Sequence, residues 1–155
     1  MLSIVAKTTY ALCDGKEYKT DFIWTSVREV EESIILFNKD TVAIFSRLSG
    51  KQELYIDGID DVQICNYFVI IGKENKYGCY TFSGKEIVPI EFDDIGLAIY
   101  NNETNELIAI QVEKGFEYGG YYIVKSKTFY EAEEINITKT GRIELLMEQE
   151  WVMLE

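Results

Sequence analysis

"NKYGCYTFSGKEIVPIEFDDIG", residues 75–96, reads as strand, turn, strand and acidic stop. Tyr77 and Gly78 begin the run "YGCYTF", whose aromatic and β-branched side chains suit a pleated surface. Ser83-Gly84 predicts a tight hairpin turn, because glycine accepts the positive φ that such turns require. "KEIVPIEF" is the returning strand, with Ile87 alternating against Glu86 and Val88. Pro89 lacks the N–H that a ladder needs, which puts it on an edge or at a bulge. Asp93-Asp94 then caps the connection to whatever follows. Upstream, "FVII" (68–71) is a short apolar strand and "KENK" (73–76) a turn. The expected unit is a three-stranded antiparallel meander of about 35 residues.

The unit recurs. An apolar residue, two small or acidic residues and a β-branched one appear as Trp24-Thr25-Ser26-Val27, Ile59-Asp60-Asp61-Val62, Phe92-Asp93-Asp94-Ile95 and Ala132-Glu133-Glu134-Ile135. The spacings are 35, 33 and 40 residues. A turn lies upstream of the first three, as Asp14-Gly15-Lys16, Ser49-Gly50-Lys51 and Ser83-Gly84-Lys85. Apolar runs at 34–37, 68–71 and 107–110 keep the same phase. An all-β fold follows, with the meander repeated roughly four times. The units span residues 1–32, 33–65, 66–100 and 101–140, with a closing segment at 141–155, inside a single domain 1–155. The sequence leaves open whether they make a propeller-like ring or an open twisted array. The N-terminal "LSIVA" (2–6) is the candidate to complete the last unit. Without such closure the sheet edges stay exposed, which also permits a dimer.

Two stretches fit more than one state. "VREVEES" (27–33) suits a helical turn or a polar loop. "GRIELLMEQEWVMLE" (141–155) contains good helix formers and also fits two short strands. Thr140-Gly141 resembles the repeat's turn and favours strands through Ile143–Met147.

Of the 155 residues, 47% are hydrophobic and 14% aromatic, which excludes a disordered chain. No stretch approaches the length of a membrane span, and the start has no basic n-region before an apolar core. Cys13, Cys65 and Cys79 are odd in number and show no close pairing, as expected of core thiols in a reducing cytoplasm. Fifteen basic residues against 27 acidic give a net charge of −12. Residues 86–117 carry eight acids and one lysine, and residues 129–155 carry seven acids, one lysine and one arginine. The rest of the chain is neutral. A negative field gathered in the C-terminal half repels nucleic acid and anionic membrane and attracts basic partners.

The cassette "KYGCYTFSGKEIVPIEFDDI" (76–95) resembles one copy of the bacterial WG-repeat (KWG) family through Lys76, Tyr77, Gly78, Gly84, Lys85, Pro89, Phe92 and Asp93. The family usually has Trp where Tyr77 stands. The second unit has Val42-Ala43-Ile44 in place of the aromatic-glycine and Tyr55 in place of the proline. The fourth keeps Tyr118-Gly119 and lacks the Gly-Lys turn and the proline. The resemblance implies β-rich units that serve as non-catalytic interaction scaffolds, with no particular ligand.

The residues offer little for catalysis. There is no histidine, so Ser-His-Asp and Cys-His chemistry and most zinc sites are absent. The cysteines form no CxxC, and Cys79 sits inside an expected strand beside Tyr80. Asp60-Asp61, Asp93-Asp94 and Glu133-Glu134 raise the prospect of a glycosidase pair or a calcium site. Neighbours on an extended segment point to opposite faces, however, which favours solvated turn acids. Gly119-Gly120 belongs to no phosphate-binding motif and reads as a turn. Of Tyr121 and Tyr122 beside it, alternation assigns one to the core and exposes the other as an interface residue.

These features point first to a non-catalytic protein that binds a basic protein partner. The most concrete form is an acidic bacterial immunity or inhibitor protein that occludes the cleft of a cognate basic toxin domain. Such a partner can be steered in at about 10⁸ M⁻¹s⁻¹. Glu91, Asp93, Asp94, Glu131, Glu133 and Glu134 are the expected contacts, with Tyr121 and Tyr122. No cofactor or metal is expected. The alternatives are a generic WG-repeat scaffold without inhibitory role, and a carboxylate-dependent hydrolase supported only by the abundance of acids.

Overall fold

In this computed structural model the backbone is described for residues 2–5, 8–13, 16–20, 24–115 and 119–155, and the side chains for 24–115 and 119–155. The described residues hold strands and turns and no helix. In chain order the strands form five meandering sheets in which successive strands are neighbours. The first holds β1 (Leu2–Val5), β2 (Thr8–Cys13) and β3 (Lys16–Thr20). The second holds β4 (Ser26–Val30), β5 (Ser33–Phe37), β6 (Thr41–Ser46) and β7 (Gln52–Asp57). The third holds β8 (Asp61–Ile64), β9 (Phe68–Lys73), β10 (Lys76–Thr81) and β11 (Glu86–Phe92). The fourth holds β12 (Asp94–Tyr100), β13 (Leu107–Glu113), β14 (Gly119–Ile123) and β15 (Thr128–Glu131). The last holds β16 (Glu134–Ile137), β17 (Ile143–Met147) and β18 (Glu150–Met153). The chain is all-β and built from repeated antiparallel meanders, as its turn spacing requires.

The three central sheets have four strands where three were expected. The additional strand follows the four-residue junction each time, as β4, β8 and β12, and β16 repeats the pattern in the last sheet. Of the "VREVEES" stretch, 27–30 belong to β4, Glu31 and Glu32 form the turn and Ser33 opens β5, with Arg28 paired to Ile35 and Glu29 to Ile34 on β5. An outer strand has one neighbour and is half exposed, so its polar residues hide the alternation. The sheets consequently break at 57/61, 92/94 and 131/134, one strand earlier than the unit boundaries 65/66, 100/101 and 140/141.

The four-residue junction is a true structural repeat. The N–H of its second residue, at Thr25, Asp60, Asp93 and Glu133, donates to the carbonyl of Phe37, Gly72, Glu113 and Leu146 respectively, at 3.2, 2.7, 2.8 and 2.8 Å. Its third residue starts β4, β8, β12 and β16 in turn. Its first is buried as Trp24, Ile59 and Phe92, with Ala132 partly so. One hydrogen bond thus fixes where each new sheet begins, and an apolar side chain anchors it.

The Ser-Gly-Lys turn is equally regular. Gly84 (φ 85°) lies between Thr81, whose N–H donates to the Lys85 carbonyl (2.8 Å), and Lys85, whose N–H donates back to Thr81 Oγ1. Gly141 (φ 81°) repeats this with Thr138 and Arg142, here joining β16 to β17. Both segments of the C-terminal stretch are therefore strands. Pro89 lies on β11, an edge strand of its sheet, where its missing N–H costs no ladder bond. Ile87 and Val88 are both buried, so the alternation expected there is broken.

A small residue sits on the third strand of each central sheet. A Cβ on Gly78 would lie 2.5 Å from the Val88 carbonyl and 2.7 Å from the Ile90 nitrogen. Gly120 is equally crowded, by the Tyr130 backbone and the Phe129 ring. Ala43 occupies this place on β6, opposite Tyr55. The counterpart of Gly78 is thus Gly120; Gly119, the expected match, has open space around it. Tyr118 and the Asp14-Gly15 turn lie outside the described residues.

The chain divides into two compact units, residues 1–75 with 79–87 and residues 76–78 with 88–155, where length alone suggested one. In the first, Trp24, Ile34, Leu36 and Ala43 form a core joined by Val27 and Phe45. In the second, Ala109, Tyr121, Ile123 and Leu145 form another, with Ile99, Ile135 and Ile143 packed on it. Each fully buried aliphatic side chain contributes about 1.5–3 kcal/mol. β1 pairs with β2 in the first sheet, and among the described residues the last sheet holds only β16, β17 and β18, so "LSIVA" does not complete it. Among the described residues no helix is long and apolar enough to cross a membrane.

Candidate functional site: an acidic groove on the C-terminal sheets

The acids singled out from sequence fall into different environments. Asp93 is engaged on both oxygens. Lys76 Nζ donates to its Oδ1 and the Gly115 N–H to its Oδ2, each at 2.5 Å. These contacts, led by the lysine hydrogen bond, hold its carboxyl below the usual carboxylate range. The lysine that opens the cassette and the aspartate that ends it are therefore partners, which explains their joint presence in "KYG…FDD". Asp60 makes a weaker version of the same latch, accepting from the Asn75 N–H at 3.3 Å. Asp94 starts β12 and accepts from its neighbour's N–H at Ile95. Glu91 is exposed on β11, and Glu134 begins β16 opposite Leu146.

Tyr121 and Tyr122 do point to opposite faces of β14, but both faces are covered, so neither is an exposed interface residue. Tyr121 joins the core with Leu145, and burial followed by the Glu134 charge pushes its phenol up. Tyr122 meets Phe92 edge to face, with ring centroids 5.8 Å apart. β14 is an inner strand between β13 and β15, and inner strands of stacked sheets are buried on both faces.

Glu131 and Glu133 come together with two acids that the sequence reading passed over. They line an open groove of about 960 Å³ with Glu148 and Glu150. Its apolar floor is Tyr121, Ala132, Met147 and Val152. The positions follow from topology. Glu131 ends β15, Glu133 is the junction residue before β16, Glu148 lies in the turn of the β17–β18 hairpin and Glu150 opens β18. That hairpin turns at Glu148 (φ 50°) and Gln149 (φ 69°), the primed two-residue turn that matches strand twist. Glutamate and glutamine are not the usual turn residues, so this turn carries no local composition signal. Among the described residues no lysine or arginine lines the groove. Four acidic residues line one open space with no described countercharge on its wall, a setting that favours an incoming cation and weakens with salt.

The groove edge continues into β18, whose residues are all exposed. Trp151 is 51%, Val152 38% and Met153 45% exposed, three adjacent apolar side chains in open solvent. Among the described residues no group of three His, Cys, Asp or Glu has the arrangement to hold a metal ion. Cys79 is fully buried and burial pushes the Cys65 thiol up, both of which disfavour a thiolate. The Tyr80 phenol is pushed up to about 12 by burial and then by Glu86. The side chain of Cys13 is outside the described residues.

No family model matches the chain. A search of curated proteins returned no match. Among solved structures the chain is similar to HIRA(644-1017), at a TM-score of 0.43 and 10% identity over 83% of this chain and 46% of that one. It is also similar to the computationally designed Ika4 protein, at 0.39 and 10% over 84% and 89%. A third is KlHsv2 with loop 6CD replaced by a Gly-Ser linker, at 0.39 and 10% over 98% and 60%. The chain spans less than half of the HIRA fragment and under two thirds of KlHsv2.

Proposed function

We propose that this chain is a non-catalytic protein-binding protein that takes a basic partner at the acidic groove of its C-terminal sheets. The observation that carries the reading is the groove itself: Glu131, Glu133, Glu148 and Glu150 with apolar Tyr121, Ala132, Met147 and Val152, and no basic residue in its wall among the described residues. Carboxylates there present to a protein the charge pattern that a phosphate backbone presents to a nuclease. The apolar floor and the exposed Trp151 supply contact area of the kind that concentrates binding energy at interfaces. The most concrete form is an immunity or inhibitor protein that occludes the basic cleft of a cognate toxin domain. The WG-repeat resemblance fits the same picture, since the Lys76–Asp93 latch gives its matching residues a scaffolding role.

The test is co-expression with the C-terminal domain encoded by the neighbouring gene. Rescue of growth by the wild-type chain, lost when Glu131, Glu133, Glu148 and Glu150 are changed together to lysine, supports the proposal. Death of the cells regardless of this chain, with no salt-sensitive complex on purification, overturns it.

A further inference from the structure

The last sheet differs from its predecessors in a way that bears on how a partner docks. The three central sheets carry four strands, whereas β16–β18 form three, and β18 has no neighbour on its outer side among the described residues. Leu154 N–H donates to the Ile143 carbonyl, in register with the pairs Leu145↔Val152 and Met147↔Glu150. Inward and outward bonding alternate along an antiparallel ladder. Residues 150, 152 and 154 therefore bond toward β17, and the backbone N–H and C=O of Trp151 and Met153 point outward, ready to pair. Side chains alternate too: Glu150 and Val152 line the groove, and Trp151 and Met153 lie on the opposite face beside Leu146 and Glu144.

Resting on the binding function proposed above, we infer that the free edge of β18 receives an extended segment of the basic partner as a fourth strand. Its alternate residues are cationic over Glu150 and the groove, and apolar beside Trp151 and Met153. Main-chain bonds supply affinity in such strand addition, and alternate side chains supply specificity. A second copy of this chain is the wrong occupant. A second copy would bring one chain of net charge −12, acidic groove included, against another of the same charge.

The probe is a nine-residue peptide alternating lysine and valine, titrated while Trp151 emission is followed. The expected result is a blue shift, with an affinity that falls as salt rises. Methylating the valine backbone nitrogens, which keeps every charge, weakens binding at least about tenfold, the loss expected for removed hydrogen bonds. Met153→Pro, which deletes an outward N–H and leaves the β17 ladder intact, does the same at an unchanged melting temperature. If that variant fails to fold, Met153→Lys replaces it, placing a repelling charge on the edge. Equal binding of the methylated and unmethylated peptides, or equal binding by the Met153 variant, overturns strand addition while leaving a charge-driven contact at the groove. Absence of any peptide binding also overturns it, and the co-expression result then judges the binding function separately.

Discussion

The junctions at 92–95 and 132–135 share one backbone geometry and use their acids in opposite ways. At both, the second residue donates its N–H to the end of an inner strand, 2.8 Å away. Asp93 is short enough to turn back, and its carboxylate is taken up by Lys76 and the Gly115 N–H. Glu133 is one methylene longer and lines the groove, where no described residue supplies a cation. The anchors differ as well: Phe92 is 2% exposed and contacts Tyr122 and Phe129, whereas Ala132 is small and lies on the groove floor. One copy of the repeat closes the structure, and the other leaves its charge available. An acid's position in a repeat therefore says little about its role until its carboxylate's partners are known.

The largest separation of the two junctions comes from their anchors. Phe92→Ala removes a buried ring and destabilises by about 3–5 kcal/mol in chemical denaturation. Ala132→Gly costs about 1 kcal/mol or less. A loss at Phe92 no greater than at Ala132 breaks the comparison. Next come the two adjacent glycines of β14. Gly120→Ala drives a methyl into the Tyr130 backbone and costs about 1–3 kcal/mol, while Gly119→Ala, in open space, stays within about 0.5 kcal/mol of the parent.

A smaller effect, with a pH signature, belongs to Asp93. Its carboxyl is held below its ordinary value in the folded chain, so its contribution is fully present above that ordinary value, near pH 4, and is lost as pH falls through the lowered folded value. Asp93→Asn lowers the melting temperature at neutral pH, and the gap to the parent narrows below about pH 4. A gap that stays constant down to pH 2 contradicts the latch. The smallest effect on stability is at Glu133→Gln, within about 0.5 kcal/mol at any pH, because that carboxylate holds nothing in the fold. A fall in stability there equal to that of Asp93→Asn erases the distinction between the two acids.

Much of this architecture was legible because turns and short apolar runs are local signals. Gly84, Pro89 and the 68–71 run place three strands of the third sheet, and the four-residue junction marks where each sheet starts. The outer strands were hidden because Arg28 and Glu29 on β4, or Gln63 on β8, face solvent from a strand with one neighbour, where polar residues carry little cost. The site was less visible. Glu131 and Glu133 stood out through their repeat position, but Glu148 lies in, and Glu150 follows, a turn without glycine or asparagine, and only pairing of β17 with β18 brings them to the groove. Tyr122 looked exposable because alternation along one strand cannot tell that both faces of an inner strand are covered.

The claim that the open acids, and not the latched one, receive a partner is tested most directly by Trp151 fluorescence. Trp24 is buried, so a change in emission on adding the C-terminal domain encoded by the neighbouring gene, the proposed partner, reports on β18. The expected result is a blue shift with reduced acrylamide quenching, at an affinity that falls with salt, abolished by Glu131, Glu133, Glu148 and Glu150→Gln together and retained in Asp93→Asn. Binding of that domain with Trp151 emission unmoved, or unaffected by the four glutamine substitutions, contradicts the account.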